Sequence, residues 1–208
     1  MSPLFYFNGF NSAIPEDYSD NEKVVAVERY AARTGRRFRP FSVDYRRAAE
    51  HVEDLLFGLR RQADPVIFSG SSMGGWFARI MQLKLAAERP GLGVAAFAFN
   101  PAFDLALHGQ MLLGPQVNFT TGESYEWRED DCERVAALEQ SVNYDAPLPF
   151  HVYVDKEDEV IDWRASAARH AGMSSFTAFE GGSHHFEHAA EALEHLEKVL
   201  GVPPGVRG

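Results

Sequence analysis

Residues 70–75 read Gly-Ser-Ser-Met-Gly-Gly, one residue after the apolar run Pro65-Val66-Ile67-Phe68 and directly before Trp76-Phe77-Ala78-Arg79-Ile80-Met81. A turn of small residues between a buried strand and a helix serves two chemistries. It cradles a phosphate on the helix N-terminus, or it presents a nucleophilic serine. The dinucleotide fingerprint would need a glycine at position 72 and an acidic residue closing the next strand, and a Walker loop would need a lysine; the stretch has none of these. Gly70-Ser71-Ser72-Met73-Gly74 does fit G-x-S-x-G. A serine at the tip of that turn adopts a strained, positive-φ backbone, and side chains two positions either side would strike the adjoining strand and helix. Ser72 would then stand above the sheet at a helix N-terminus, whose partial positive charge favours a developing oxyanion.

A serine nucleophile needs a base, and the base needs an acid to orient it. Asp155-Lys156-Glu157-Asp158-Glu159-Val160 and Gly181-Gly182-Ser183-His184-His185-Phe186 each follow an apolar run, so the chain order is Ser, acid, His. Asp155, Glu157 and Asp158 are candidate acids, as is Asp104 further upstream, and His184 competes with His185 as the base. One oxyanion donor is the backbone N–H after the nucleophile, Met73; the other should come from the loop after the first strand, at Phe10. His184, His185, Glu187 and His188 also raise a metal reading. Neither H-E-x-x-H nor a Cys/His framework accompanies them, so no metal and no cofactor are expected. His108, His151, His170, His188 and His195 read as packing or surface residues.

These groups must be positioned by regular elements. Six short apolar runs, Leu4–Asn8, Phe38–Asp44, Val66–Ser71, Val94–Asn100, Phe150–Asp155 and Ser175–Glu180, alternate with helical patterns near 22–33, 46–62, 75–88, 162–171 and 186–200. In 46–62, Ala49, Val52, Leu55, Leu56 and Leu59 form an apolar stripe, as do Ala189, Leu193, Leu196 and Leu200 in the last helix. The runs are almost continuously apolar, as strands buried on two faces must be. The pattern predicts an α/β fold, a parallel sheet of about six strands with helices on both faces. Residues 1–201 are expected to form one domain, with 202–208 a flexible tail. The stretch 103–147 interrupts the rhythm and carries a helix expected at 128–141; it is the candidate for a small cap. Phe103, Phe119, Trp127 and Asn11 are the expected lining of the substrate pocket, and Tyr125 another aromatic of its wall, whereas Trp76, inside a helix, reads as core.

The motifs also carry a resemblance. "GFNS" at 9–12, "GSSMGG" at 70–75, "NPA" at 100–102, "TGESY" at 121–125, "DEVIDWR" at 158–164 and "GGSHHF" at 181–186 are similar, in order and spacing, to the small bacterial YqiA-type esterases, an α/β-hydrolase family. The resemblance implies a serine esterase with a Ser-Asp-His triad, and a minimal hydrolase fold without its first two strands. The remaining six should then be ordered 2-1-3-4-5-6, with the switch point between strands 1 and 3, where Phe10 and Ser72 leave the sheet. Carried over residue by residue, it makes Ser72 the nucleophile, Asp158 the acid and His184 the base. Asn8-Gly9 stands where the family has His-Gly, whose histidine braces the oxyanion loop.

Composition excludes other classes. The 208 residues are 45% hydrophobic and 24% charged, the balance of a folded globular chain. A net charge of −10 argues against nucleic acid or an anionic membrane as partner, since both require basic patches. The lone Cys132 cannot form an internal disulfide, residues 1–12 lack the features of a secretory leader, and no apolar run approaches the roughly 18 residues of a membrane span. A cytoplasmic enzyme acting on a small-molecule ester is the expectation, its oligomeric state not encoded. A thioesterase acting on acyl-CoA or an acyl carrier would use the same groups. A catalytically silent binding protein on the same fold is the alternative from another class.

Overall fold

In the computed structural model, which describes residues 1–200, the chain alternates strands and helices in the expected order. The strands of the main sheet are β1 (Pro3–Phe7), β2 (Arg37–Phe41), β3 (Val66–Ser71), β4 (Val94–Phe99), β7 (Phe150–Asp155) and β8 (Ser175–Phe179). The sheet is ordered β2-β1-β3-β4-β7-β8, and every neighbouring pair is parallel. Renumbered among these six, that is 2-1-3-4-5-6. The tail expected at 202–208 lies outside the described residues.

Burial explains the sheet. All six residues of β3 and all six of β7 are buried, because helices cover both faces. On one face lie α1 (Glu22–Arg33) and α7 (Ala189–Val199), which pack on each other over Leu4, Tyr6, Ile67, Phe97 and Tyr153. On the other lie α2 (Ala48–Leu59) and α3 (Met73–Glu88), over Phe7, Phe68, Ala96 and Val152. The Asn21 side chain caps α1 by accepting from the Val24 N–H at 3.2 Å, and Val24, Val27, Tyr30 and Ala31 form its buried stripe. Helix α2 begins only after a single 3₁₀ turn at Tyr45–Arg47 and ends at Leu59, shorter than the 46–62 expected but spanning the whole apolar stripe.

The stretch 103–147 holds more structure than expected. After α4 (Leu105–His108) and a 3₁₀ turn comes an antiparallel hairpin, β5 (Gly114–Val117) with β6 (Ser124–Trp127), then α5 (Glu129–Gln140). The hairpin leans on the loop after β1: the Phe119 N–H donates to the Asn11 carbonyl at 2.8 Å, and the Tyr125 hydroxyl reaches Asn11 Oδ1 at 2.5 Å.

The turn after β3 is as crowded as its small residues imply. A Cβ on Gly70 would lie 2.3 Å from the Gly74 carbonyl group, and one on Gly74 would lie 2.2 Å from the Phe7 carbonyl oxygen. On Gly75 it would meet Ala98 and Pro101 side chains at 2.8 Å. The obstacles at Gly70 and Gly74 are backbone and cannot rotate away. Gly74→Ala is therefore expected to destabilise the fold by about 3 kcal/mol or more, read as a lowered midpoint in urea unfolding; an unchanged midpoint would contradict this packing of α3 against β1.

Candidate active site

Strands β1 and β3 end side by side, Phe7 in register with Gly70, so their following loops emerge together. Ser72 is the first residue past β3, at φ 55° and ψ −127°, immediately before α3. For a non-glycine residue that is a strained conformation, and such strain collects where structure over-determines it. The Ser72 carbonyl is held by three N–H groups, of Gly75, Trp76 and Ala102, at 2.9, 3.3 and 3.0 Å. Its side chain is left free of the turn.

The loops after β7 and β8 bring two more groups to it. His184 Nε2 lies 3.1 Å from Ser72 Oγ, and His184 Nδ1 lies 2.9 and 3.0 Å from the two carboxylate oxygens of Asp158. The Asp158 side chain is 1% exposed and His184 23%. An ionised carboxylate only accepts, so Nδ1 carries the proton and Nε2 is left with its lone pair toward the serine hydroxyl. Asp158 Oδ1 also accepts the N–H groups of Val160 and Ile161, both at 2.8 Å, which hold the carboxylate in place.

The other candidate acids are engaged elsewhere. Asp104 accepts from Arg169 at 2.8 Å, and Glu157 is exposed. Asp155 is fully buried but faces the backbone of the histidine loop: it accepts from the N–H groups of Glu187 at 2.8 Å and Ser183 at 3.3 Å, and pairs with His188 Nδ1 at 2.7 Å. That clamp needs Gly182, where a Cβ would fall 2.0 Å from Asp155 Oδ2. Asn100, at φ 41°, completes it by accepting the Asp155 N–H at 2.9 Å and donating to the Ser183 carbonyl at 2.9 Å. Sequence reasoning treated Asp155 as a rival acid and overlooked Asn100. An asparagine closing a strand just before a proline was the available signal.

The loop after β1 is braced by Asn8, which is buried. Its amide donates to the Gly9 and Ser12 carbonyls at 2.9 and 2.5 Å, and its Oδ1 accepts the Val43 N–H at 2.6 Å. The Tyr45 hydroxyl donates to the Asn8 carbonyl at 2.5 Å, and burial raises that phenol's pKa so that it stays a donor. An amide is suited to this position because it offers donor and acceptor together. Gly9 passes so close to the serine that a Cβ on it would lie 3.3 Å from Ser72 Cβ. Among the described residues the N–H groups of Phe10 and Met73 have no hydrogen-bond acceptor; for Met73, first residue of α3, none is available within the helix.

Ser72 and His184 open into a cleft of about 780 Å³, lined also by Phe10, Ile14, Lys23 and Phe119. Of the expected pocket residues only Phe119 borders it. Trp127 is 1% exposed: its ring meets Phe10 edge-on at 5.0 Å and its Nε1–H donates to Cys132 Sγ, so it supports the loop from within the core. Phe103 packs against His108 and His170 instead. Asn11, at φ 55°, is turned toward Gln116 and Tyr125 of the hairpin. Trp127 was expected in the pocket as an aromatic of the 103–147 insertion, but as part of the hairpin it turns into the core. Trp76 is core, as its helical position implied. Among the described residues no three His, Cys, Asp or Glu side chains gather as a metal site, and no helix is long and apolar enough to cross a membrane.

The architecture matches solved structures at low identity. A protein of Agrobacterium vitis S4 superposes with TM-score 0.72 at 17% identity, over 95% of this chain and 87% of that one. Alpha/beta hydrolase domain-containing protein 10 from mouse gives 0.66 at 18% identity, over 96% and 89%. The esterase domain of a Rhodothermus marinus protein gives 0.62 at 17% identity, over 97% and 86%. At such identities the likeness shows a shared α/β-hydrolase fold. No curated protein matches the sequence. The profile of the family described as "Uncharacterised protein family (UPF0227)" matches residues 3–201. With nearly its whole length matched, the chain belongs to UPF0227, the family of the YqiA-type proteins that its motifs resemble.

Proposed function

We propose that the protein is a serine esterase that hydrolyses short-chain carboxylic esters through an acyl-enzyme. The observation that carries this reading is the unbroken contact chain from Asp158 through His184 to Ser72 Oγ, at 2.9 and 3.1 Å. Ser72 attacks the ester carbonyl while His184 Nε2 takes its proton, and Asp158 stabilises the imidazolium and holds its tautomer. The Phe10 and Met73 N–H groups, with the N-terminus of α3 behind Met73, receive the oxyanion. His184 then protonates the departing alcohol, and the same nitrogen activates the water that releases the acid. The named esterase domain among the structural neighbours agrees with this chemistry. None of its steps calls for a cofactor.

The cleft supports a short acyl group. Beside Phe10, Ile14 and Phe119 its lining carries Asp17, Asp20, Lys23 and Glu187, so a long acyl chain would share the cleft with charged groups. A methylene lying on charged surface gains little of the roughly 0.8 kcal/mol that burial provides. The acidic rim also disfavours a polyphosphorylated carrier such as coenzyme A. In a p-nitrophenyl ester series from acetate to palmitate, kcat/KM is expected to peak at the short end. A peak at long chains, or higher activity on acyl-CoA than on any simple ester, would replace this reading with a thioesterase.

A further inference from the structure

Lys23 faces the same cleft as Ser72 and His184 but takes no part in acyl transfer. It lies in the first turn of α1, half-buried, and its Nζ donates to Ser71 Oγ at 2.9 Å, which fixes the ammonium beside the residue preceding Ser72. An ammonium has three donors, and Ser71 accounts for one. Among the described residues no carboxylate reaches Lys23 as an ion-pair partner. Burial pushes its pKa down to about 8 against the pull of Asp155 and Asp158, so the cation persists at neutral pH while partly stripped of water. A partly desolvated cation with donors to spare favours an anionic partner.

The rim of the cleft limits what that partner can be. Asp17, Asp20, Glu22 and Glu187 are exposed and border the same space. Four carboxylates repel an incoming anion in proportion to its charge, so a group carrying a single negative charge is opposed least and is matched one for one by the ammonium. Resting on the serine-esterase reading above, we propose that Lys23 is a specificity-determining subsite for a single carboxylate on the substrate, a few bonds from the scissile carbonyl. The substrate class is then a short ester bearing one free carboxylate, on either its acyl or its alcohol part. The carboxylate sits on Lys23 Nζ while the ester carbonyl meets Ser72.

The test compares matched pairs of esters with the full-length protein. Mono-p-nitrophenyl succinate against its methyl ester probes the acyl side, and 4-acetoxybenzoate against its methyl ester probes the alcohol side. Wild type is expected to prefer the carboxylate member of at least one pair by roughly tenfold in kcat/KM, mostly through KM. In Lys23→Met and in Lys23→Gln, which keeps a donor for Ser71 without the charge, that ratio is expected to fall to one or below, whatever the absolute rates. A merely structural lysine would lower both members of a pair alike. Ester hydrolysis by wild type with no carboxylate preference in either pair, or a preference that survives in both variants, overturns the subsite and leaves the esterase standing. If no ester is hydrolysed and Ser72 resists a fluorophosphonate, the esterase reading falls and the subsite with it.

Discussion

Ser72→Ala is expected to fold like the parent protein, to lose fluorophosphonate labelling completely, and to lose ester hydrolysis by about 10⁵-fold or more. The alanine keeps Cβ, so the positive-φ backbone, the three N–H groups on the residue-72 carbonyl and the close approach of Gly9 are all retained. Only Oγ and its 3.1 Å contact with His184 disappear. Backbone N–H groups and binding alone leave a residual rate above that of water, which sets the floor of the loss. Intact mass after exposure to the probe, p-nitrophenyl acetate turnover and a thermal melt measure the three parts. Labelling that persists would place the nucleophile elsewhere and end the assignment of Ser72. Ser71 offers no ready substitute, since its hydroxyl is turned to Lys23.

Asp158→Asn should be nearly as damaging, lowering kcat by about 10³–10⁴-fold with little change in stability. The reason lies in the hydrogen bonds around the carboxylate. Oδ1 accepts two backbone N–H groups, from Val160 and Ile161, so the amide oxygen of an asparagine takes that place. Its NH₂ then occupies the position of Oδ2, 2.9 Å from His184 Nδ1. A donor there favours the tautomer protonated at Nε2, which presents a proton instead of a lone pair to Ser72. The variant also lacks the negative charge that stabilises the imidazolium. The expected signature is a collapse of kcat with an almost unchanged melting temperature, whereas His185→Ala, at an exposed neighbouring position, should be mild. Near-normal kcat in Asp158→Asn would show that the contact is only structural. A severe loss in His185→Ala would shift the base by one residue.

The frame of the fold was legible in the sequence because its signals are local. Strands buried on two faces carry apolar runs bounded by small or polar residues, as Val-Ile-Phe does in Val66–Ser71 and Val-Tyr-Val in Phe150–Asp155, and both were found to the residue. The turn at 70–75 was legible because its G-x-S-x-G pattern is local, although only the contact of Gly70 with Gly74 lies inside one strand-turn-helix unit, while Gly74 meets the Phe7 carbonyl of β1 and Gly75 meets Ala98 and Pro101. The alternation of strands and helices implied parallel strands with crossover connections, whereas the order 2-1-3-4-5-6 came from the resemblance to a hydrolase fold without its first two strands. The hairpin at 114–127 escaped notice because its two strands are four residues each, too short to show a period, and mostly exposed on one side.

Placement of individual side chains was a different matter. Trp127 and Phe119 are both aromatics of one insertion, and nothing local to them says that the first enters the core while the second borders the cleft. Residue types alone do not choose between Asp155 and Asp158 in Asp155-Lys156-Glu157-Asp158, where only the resemblance named Asp158, because the choice depends on where residues 181–188 return from β8. Asn8, Asn100 and Lys23 acquire their meaning only from partners dozens of residues away: Val43, Ser183 and Ser71. By itself the sequence determined the apolar pattern, the chirality-restricted sheet and the glycine turn that presents Ser72, all consequences of short-range sterics and burial. Only the tertiary structure decided that Phe119 borders the cleft while Trp127 enters the core, that Asn100 ties Asp155 to the histidine loop, and which cation faces the cleft. Hydrogen bonds and charge interactions act over a few ångströms, and chain order alone cannot specify which distant loops come within that distance.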